Sequence, residues 1–288
     1  MKTEARVALL FLLPTLLGLL VFKLYPIVLA VSSSFMSRSF RTQETVFVGF
    51  ENYASIFSDP VFTKSVWVTI VFNVITNPLQ IALALALAPF LGVQIRGVNL
   101  VRSLYMLPIG ISLPVATVIW GIVLSPNAGL LNSILGSVGI PAQPFFTSAS
   151  QALGSIILIA TWKGVSYWMI FLLAGIKAIP ESLYEAARID GANGLQMLFR
   201  ITIPLLKRVL LFVVVADTIS NFLLFVPAYL LTRGGPQLST TLLMYEVFKT
   251  GFIYVDMHRA MAMLTVLLLM LFSVIAAQFY FLRARHTY

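Results

Sequence analysis

The chain has 288 residues, of which 59% are hydrophobic and 10% charged, with a formal net charge of +9 and no cysteine. Soluble globular domains carry about 25% charged residues, so this composition excludes a soluble enzyme or binding domain and describes an integral membrane protein. The missing thiols exclude disulfides, thiolate zinc sites and cysteine nucleophiles, and the positive charge, scattered around apolar spans, fits cytoplasmic loops and anionic lipid better than nucleic acid.

A helix needs about 20 apolar residues to cross a bilayer. Six stretches qualify, 7–31, 64–92, 98–123, 151–176, 205–231 and 258–282, and they are continuous rather than alternating, which argues against a β-barrel and for an all-α polytopic fold. The first follows Lys2 and Arg6, which opens the competing reading of a cleaved signal peptide. Its apolar run is longer than a signal-peptide core and lacks a clear small-residue cleavage site. Pro14, Gly18, Lys23 and Pro26 make it irregular. In the second stretch Asn73, Asn77 and Gln80 recur at i, i+4 and i+7 and form a polar stripe, either lining a path or facing a partner. Pro108 and Pro114 interrupt the third. An ionised group at mid-bilayer costs roughly 2.5–3.5 kcal/mol on insertion scales, so Lys163 in the fourth stretch and Asp217 in the fifth stand out. Asn221 lies one helical turn from Asp217, with Phe225 continuing the face, and an acceptor, an amide and an aromatic suit sugar hydroxyls and a sugar ring. The other reading makes these residues glue between helices, with Lys163 as a salt-bridge partner of Asp217 rather than a solute contact. Trp120, Trp162, Tyr167 and Trp168 read as packing or interface aromatics. His258 and His286 stand apart from any carboxylate cluster, so neither a catalytic nor a metal site is expected.

Between the fourth and fifth stretches runs a charged segment, Ile179 to Gly194, closed by Ile201-Thr202-Ile203-Pro204. Pro180 suits a first helical turn, Glu181 and Glu185 favour its N-terminal end, and Gly191 can stop the helix. Ala186 and Ala187 give this amphipathic helix a face with little bulk, and Glu185 and Arg188 flank that face with charge, as a docking element requires. A solvated loop or an interfacial helix on anionic lipid is the alternative. With the N terminus in the cytoplasm, Lys2, Arg6, Arg96, Arg102, Lys177, Arg188, Arg200, Lys207, Arg208, Arg283 and Arg285 lie inside, and Arg38, Arg41, Lys64, Arg233, Lys249 and Arg259 outside. This bias of eleven to six places the charged segment in the cytoplasm.

Glu185-Ala186-Ala187, three residues, Gly191, nine residues, Ile201, one residue and Ile203-Pro204 resemble the EAA motif of bacterial ABC-importer permeases, with Ile203 where the usual motif has leucine. The run from Glu185 to Ala192 is similar to the carbohydrate-uptake branch, the maltose and glycerol-3-phosphate type. So are Leu13-Pro14, Tyr25-Pro26, the run Phe47 to Tyr53, Leu107-Pro108 and the run Leu231 to Pro236, in that order. The resemblance implies a type I ABC importer permease fold, one transmembrane domain over residues 1–288, in the bacterial inner membrane with both termini cytoplasmic. It implies that segment 177–204 carries the coupling helix. There Glu185 is the charged anchor, Arg188 a second charge, Ala186 and Ala187 the close-packing face, and Asp190 and Gly191 the turn. The implied partners are a second permease subunit in a heterodimer, two cytoplasmic ATPase subunits and an extracytoplasmic solute-binding protein. ATP and Mg are expected on the ATPase subunits, because this chain has no Gly-x-x-x-x-Gly-Lys-Ser/Thr phosphate loop. The expected function is ATP-driven import of a sugar or related polyol along a path marked by Asp217, Asn221, Phe225, Asn73, Asn77 and Lys163. A secondary transporter, in which the EAA spacing has no purpose, and a polytopic membrane enzyme are the alternatives.

Overall fold

A long apolar run in lipid has no water to bond its backbone, so it folds as helix, which satisfies each N–H and C=O within its own segment. The computed structural model describes residues 2–38, 44–92 and 97–282. Arg41, Arg96, Arg283, Arg285 and His286, which the charge count and the histidine reading invoked, lie outside the described residues. The chain begins with α1 (Lys2–Leu19), a π-helical turn (Leu20–Leu24) and α2 (Tyr25–Ser33), then strands β1 (Met36–Arg38) and β2 (Thr45–Phe47). There follow α3 (Glu51–Phe57), α4 (Pro60–Gly92), α5 (Val98–Gly110), α6 (Leu113–Val123), α7 (Leu130–Ser137) and α8 (Ala152–Lys177). Beyond them come α9 (Glu181–Ile189), α10 (Gly194–Met197), α11 (Ile203–Leu205), α12 (Lys207–Phe222), α13 (Leu243–Phe248) and α14 (Met257–Leu282). The strands pair antiparallel, Met36 opposite Phe47, and are a small departure from a purely helical chain.

Among the described residues four helices are long and apolar enough to cross a membrane: Leu9–Ser33, Pro60–Gly92, Ala152–Lys177 and Met257–Leu282. The stretch expected over 98–123 is α5 and α6, bent by 107° at the break between them. Pro114 has no N–H to give the Gly110 carbonyl, and Ile111 is extended (φ −91°, ψ 128°), so the helix cannot run through. The stretch expected over 205–231 holds the 16-residue α12 and a π-helical turn, Ala228–Thr232.

The chain forms two compact units, Met1–Thr63 with Glu246–Leu269, and Lys64–Tyr245 with Met270–Tyr288. In the first unit the N-terminal helix turns its apolar side chains outward, Phe11 81% and Phe22 78% exposed, as lipid or a partner would require. Gly49 (φ +59°) turns the chain from β2 into α3, where the Asn52 amide donates to the carbonyls of Ser34 and Met36 at 2.8 and 2.7 Å. Arg259 holds α3 and the segment after it, donating to Asp59 at 2.7 Å and Ser55 at 3.0 Å.

In the second unit α8 is the most enclosed long helix. Ala84, Ala88 and Leu91 of α4, Trp168, Met169 and Leu172 of α8, and Val213 of α12 form one cluster. Ile156 and Ala160 of α8 join Phe72, Leu242 and Tyr245 in another. Lipid tails are as apolar as these side chains, so the helices associate through close packing, for which small residues matter most. A Cβ on Gly175 would come within 2.7 Å of Leu206, and one on Gly164 within 2.5 Å of the Gln80 amide. Gln80 is buried and bonded to Asn221, so it cannot swing aside freely. Gly164→Val is expected to destabilise the protein by about 1–3 kcal/mol, read as a lower thermal midpoint in detergent. An unchanged midpoint would mean that α4 and α8 do not approach this closely.

Candidate functional site

Asp217 and Asn221 are four residues apart on α12, so they share one face and point into the second unit. Asp217 is 1% exposed. Its Oδ1 accepts from the Trp168 indole at 2.5 Å and from the Asn221 amide at 3.1 Å. Its Oδ2 is buried with no hydrogen-bond partner among the described residues. The Asn221 amide also donates to Asn77 Oδ1 at 2.7 Å and Gln80 Oε1 at 3.2 Å. Two hydrogens thus serve three acceptors, and one bond is shared. Asn77 donates to Thr218 Oγ1 at 3.1 Å, which also accepts from the Gln278 amide at 2.7 Å.

Asp217 and Asn221 border a cavity of about 330 Å³ that Gln80, Lys163, Tyr167 and Trp168 among others also line. Lys163 reaches it from α8 but does not pair with Asp217. Its ammonium donates to the carbonyls of Pro108 at 2.9 Å and Ile111 at 2.5 Å, the corner of the bent α5–α6 pair. The alternative of a salt bridge to Asp217 is therefore set aside: the broken helix exposes carbonyls that lipid cannot bond, and α5 ends there with the negative pole of its dipole, so the cation goes to the corner. Asn77 belongs to the network without lining the cavity. Asn73 donates back to the Thr69 carbonyl of its own helix at 2.9 Å. Phe225 packs against the Phe72–Ile156 cluster instead, because α12 stops at Phe222 and the i, i+4 face does not extend to it.

The segment expected to dock forms α9, with Pro180 extended (φ −56°, ψ 131°) just before it and Glu181 in its first turn. Gly191 takes φ +78°, and the helix closes through Gly191 N–H to the Arg188 carbonyl at 3.1 Å and Ala192 N–H to the Ala187 carbonyl at 2.9 Å. Gly191 thus ends the helix as expected of it. The turn expected to rest on Asp190 rests on these backbone bonds and on the Asp190 N–H, which donates to the Ala186 carbonyl at 3.0 Å. Glu185, Ala186 and Arg188 are exposed, Ala187 half-buried, and Ile189 is 87% exposed. Asn193 and Gln196 form a capping box that starts α10, a pattern readable in the sequence but not singled out there. Sequence reading also missed the bond from Trp168 to Asp217; a buried indole N–H needs an acceptor, which was the available signal.

The first unit holds a larger cavity of about 800 Å³, bordered by Asp59, Glu246, Lys249, Asp256 and Arg259 among others. Burial works against the charge of Lys249 there, but the Glu246 carboxylate at 3.4 Å and the Tyr254 hydroxyl outweigh it and hold its pKa above the ordinary value.

Residues 7–286 match the family of binding-protein-dependent transport system inner membrane components. The sn-glycerol-3-phosphate transport system permease protein UgpA of Brucella abortus is 34% identical over 276 residues, covering 96% of this chain and 94% of that protein. Its counterpart in Agrobacterium fabrum is 32% identical over the same shares. A chain of a bacterial ABC transporter that imports the acidic polysaccharide alginate superposes with a TM-score of 0.81 at 22% identity, covering 98% of this chain and 97% of that one. A second structure of such a transporter, in complex with an alginate pentasaccharide-bound periplasmic protein, superposes with a TM-score of 0.80 at 21% identity.

Proposed function

We propose, for a chain that belongs to the family of binding-protein-dependent transport system inner membrane components, that it carries a sugar or related polyol inward as one permease of an ATP-driven importer. The chain is an inner-membrane transport subunit of ABC type, not an enzyme. In this reading it spans the membrane six times as a single domain over 1–288, with both termini in the cytoplasm. It pairs with a second permease, receives solute from an extracytoplasmic binding protein, and takes its power from two ATPase subunits that bind ATP and Mg. Glu185, Ala186, Ala187 and Arg188 of α9 meet the ATPase, and the backbone turn at Asp190 and Gly191 fixes their angle. Relatives named for sn-glycerol-3-phosphate support a small hydroxylated solute.

The observation that carries the solute site is the buried Asp217 Oδ2, which lacks a partner among the described residues, on a residue that borders a cavity together with Asn221 and Lys163. A buried carboxylate oxygen without a donor is costly, and a passing hydroxyl supplies that donor. Asn221, Tyr167 and Trp168 line the same cavity and supply the amide and aromatic groups that suit a polyhydroxylated solute. Asp217→Asn keeps the shape but replaces the acceptor with a donor. A hydrogen bond to a charged group contributes about 1.5–3 kcal/mol, so uptake by the reconstituted complex, with saturated binding protein, is expected to fall at least tenfold. Wild-type uptake by this variant would remove Asp217 from the path.

A further inference from the structure

The helix expected to meet the ATPase is almost free of the chain that it must move. Its residues Glu185, Ala186, Arg188 and Ile189 are exposed. Among the described residues one side-chain hydrogen bond ties α9 to another element, between the Tyr184 hydroxyl and Thr202 Oγ1 at 2.9 Å. Thr202 is buried, closes a π-helical turn, Leu198–Thr202, and shares its hydroxyl with the Met197 carbonyl at 3.3 Å. Its own carbonyl accepts from the Leu206 N–H at 2.9 Å, immediately before α12 begins. Asp217 lies ten residues along α12, about 15 Å at 1.5 Å per residue.

A short helix fixed only at its two ends can rotate about the line joining them. At one end α9 follows the extended Pro180, and at the other it enters the left-handed Gly191 turn, so force on its exposed face would roll it rather than push the chain beyond. A third attachment off that line removes this freedom. Tyr184 is on α9 and Thr202 at the base of α12, so their bond is such an attachment. π-Helical turns recur at functional positions, and here the turn ends on the residue that receives the bond.

We propose that the Tyr184–Thr202 bond is the strut that makes α9 and the base of α12 move as one body, so that a push on α9 reaches the cavity at Asp217. Tyr184 and Thr202 are positioning residues: neither touches solute or nucleotide. The proposal rests on the reading that α9 meets an ATPase subunit.

The test uses the whole complex in proteoliposomes with loaded binding protein, and reads solute delivered per ATP hydrolysed. Tyr184→Phe removes one oxygen, Thr202→Val removes the hydroxyl at constant volume, and Thr202→Ser keeps it. Tyr184→Phe and Thr202→Val are expected to retain the ATPase subunits and to respond to loaded binding protein, while delivering roughly fivefold less solute per ATP, the factor one neutral hydrogen bond typically contributes. Thr202→Ser is expected to keep the wild-type ratio. An unchanged ratio in both Tyr184→Phe and Thr202→Val overturns the strut, as does loss of the ATPase subunits from Tyr184→Phe, which would place Tyr184 in the docking surface itself. Glu185→Lys, run alongside, separates the two levels. If it keeps its ATPase subunits and uptake, the docking reading fails and the strut with it; if it loses them while the strut variants behave as wild type, only the strut fails.

Discussion

Replacing Lys163 with methionine is expected to abolish uptake while leaving the protein inserted at near-normal amounts. Two opposing effects decide this. Methionine removes an ionised group from the membrane interior, a gain of roughly 2.5–3.5 kcal/mol on insertion scales. It also strips the donors from the Pro108 and Ile111 carbonyls, which costs about 1–3 kcal/mol for each group left unsatisfied. The two nearly cancel in stability. They do not cancel in shape, because the carbonyls must find other donors, and the α5–α6 corner has to move for them to do so. Ile109 and Leu113 flank that corner and line the cavity of Asp217, so the cavity changes with it. Arginine at 163 presents several N–H groups on a chain of similar reach and is expected to restore part of the uptake. Membrane quantification beside solute uptake checks this; full uptake by Lys163→Met would show that the corner holds itself.

Charge reversal at Glu185 is expected to be nearly as damaging for an unrelated reason. The side chain is exposed, and among the described residues its carboxylate has no partner within the chain, so folding is expected to change by no more than about 0.5 kcal/mol. The damage would fall on the partner. A like-charge contact at an interface costs several kcal/mol, and each 1.4 kcal/mol is tenfold, so ATPase retention and uptake are expected to drop by about two orders of magnitude. Co-purification of the ATPase subunits with Glu185→Lys measures the first and solute uptake the second. Normal values for both would sink the docking role of α9.

These two side chains differ in how far the sequence revealed them. The helix that carries Glu185 was legible because its signals are local: Pro180 and Gly191 bound it, and the spacing from Glu185 to Pro204 lies within one segment. The structure places α9 between those two residues, with Gly191 in the left-handed conformation. Asp217 and Asn221 were legible as a pair for the same reason, being one turn apart on one helix. Lys163 was legible only as an anomaly. Its partners lie 55 and 52 residues earlier, at a corner whose direction no local pattern states. Phe225 was misplaced because the expected helix was continued past Phe222, where α12 ends.

By itself the sequence determined that this chain lives in lipid, where the apolar runs lie, and that one charged, capped helix interrupts them. Apolar length, proline, glycine and i, i+4 spacing act over a few residues, and a single chain carries them openly. Tertiary structure alone decided that the third run turns through 107°, that Lys163 serves that turn instead of Asp217, and that Trp168, Asn221 and Gln80 meet around the carboxylate. In lipid every buried polar group must find its partner within the protein, and which partner it finds depends on which helix faces touch.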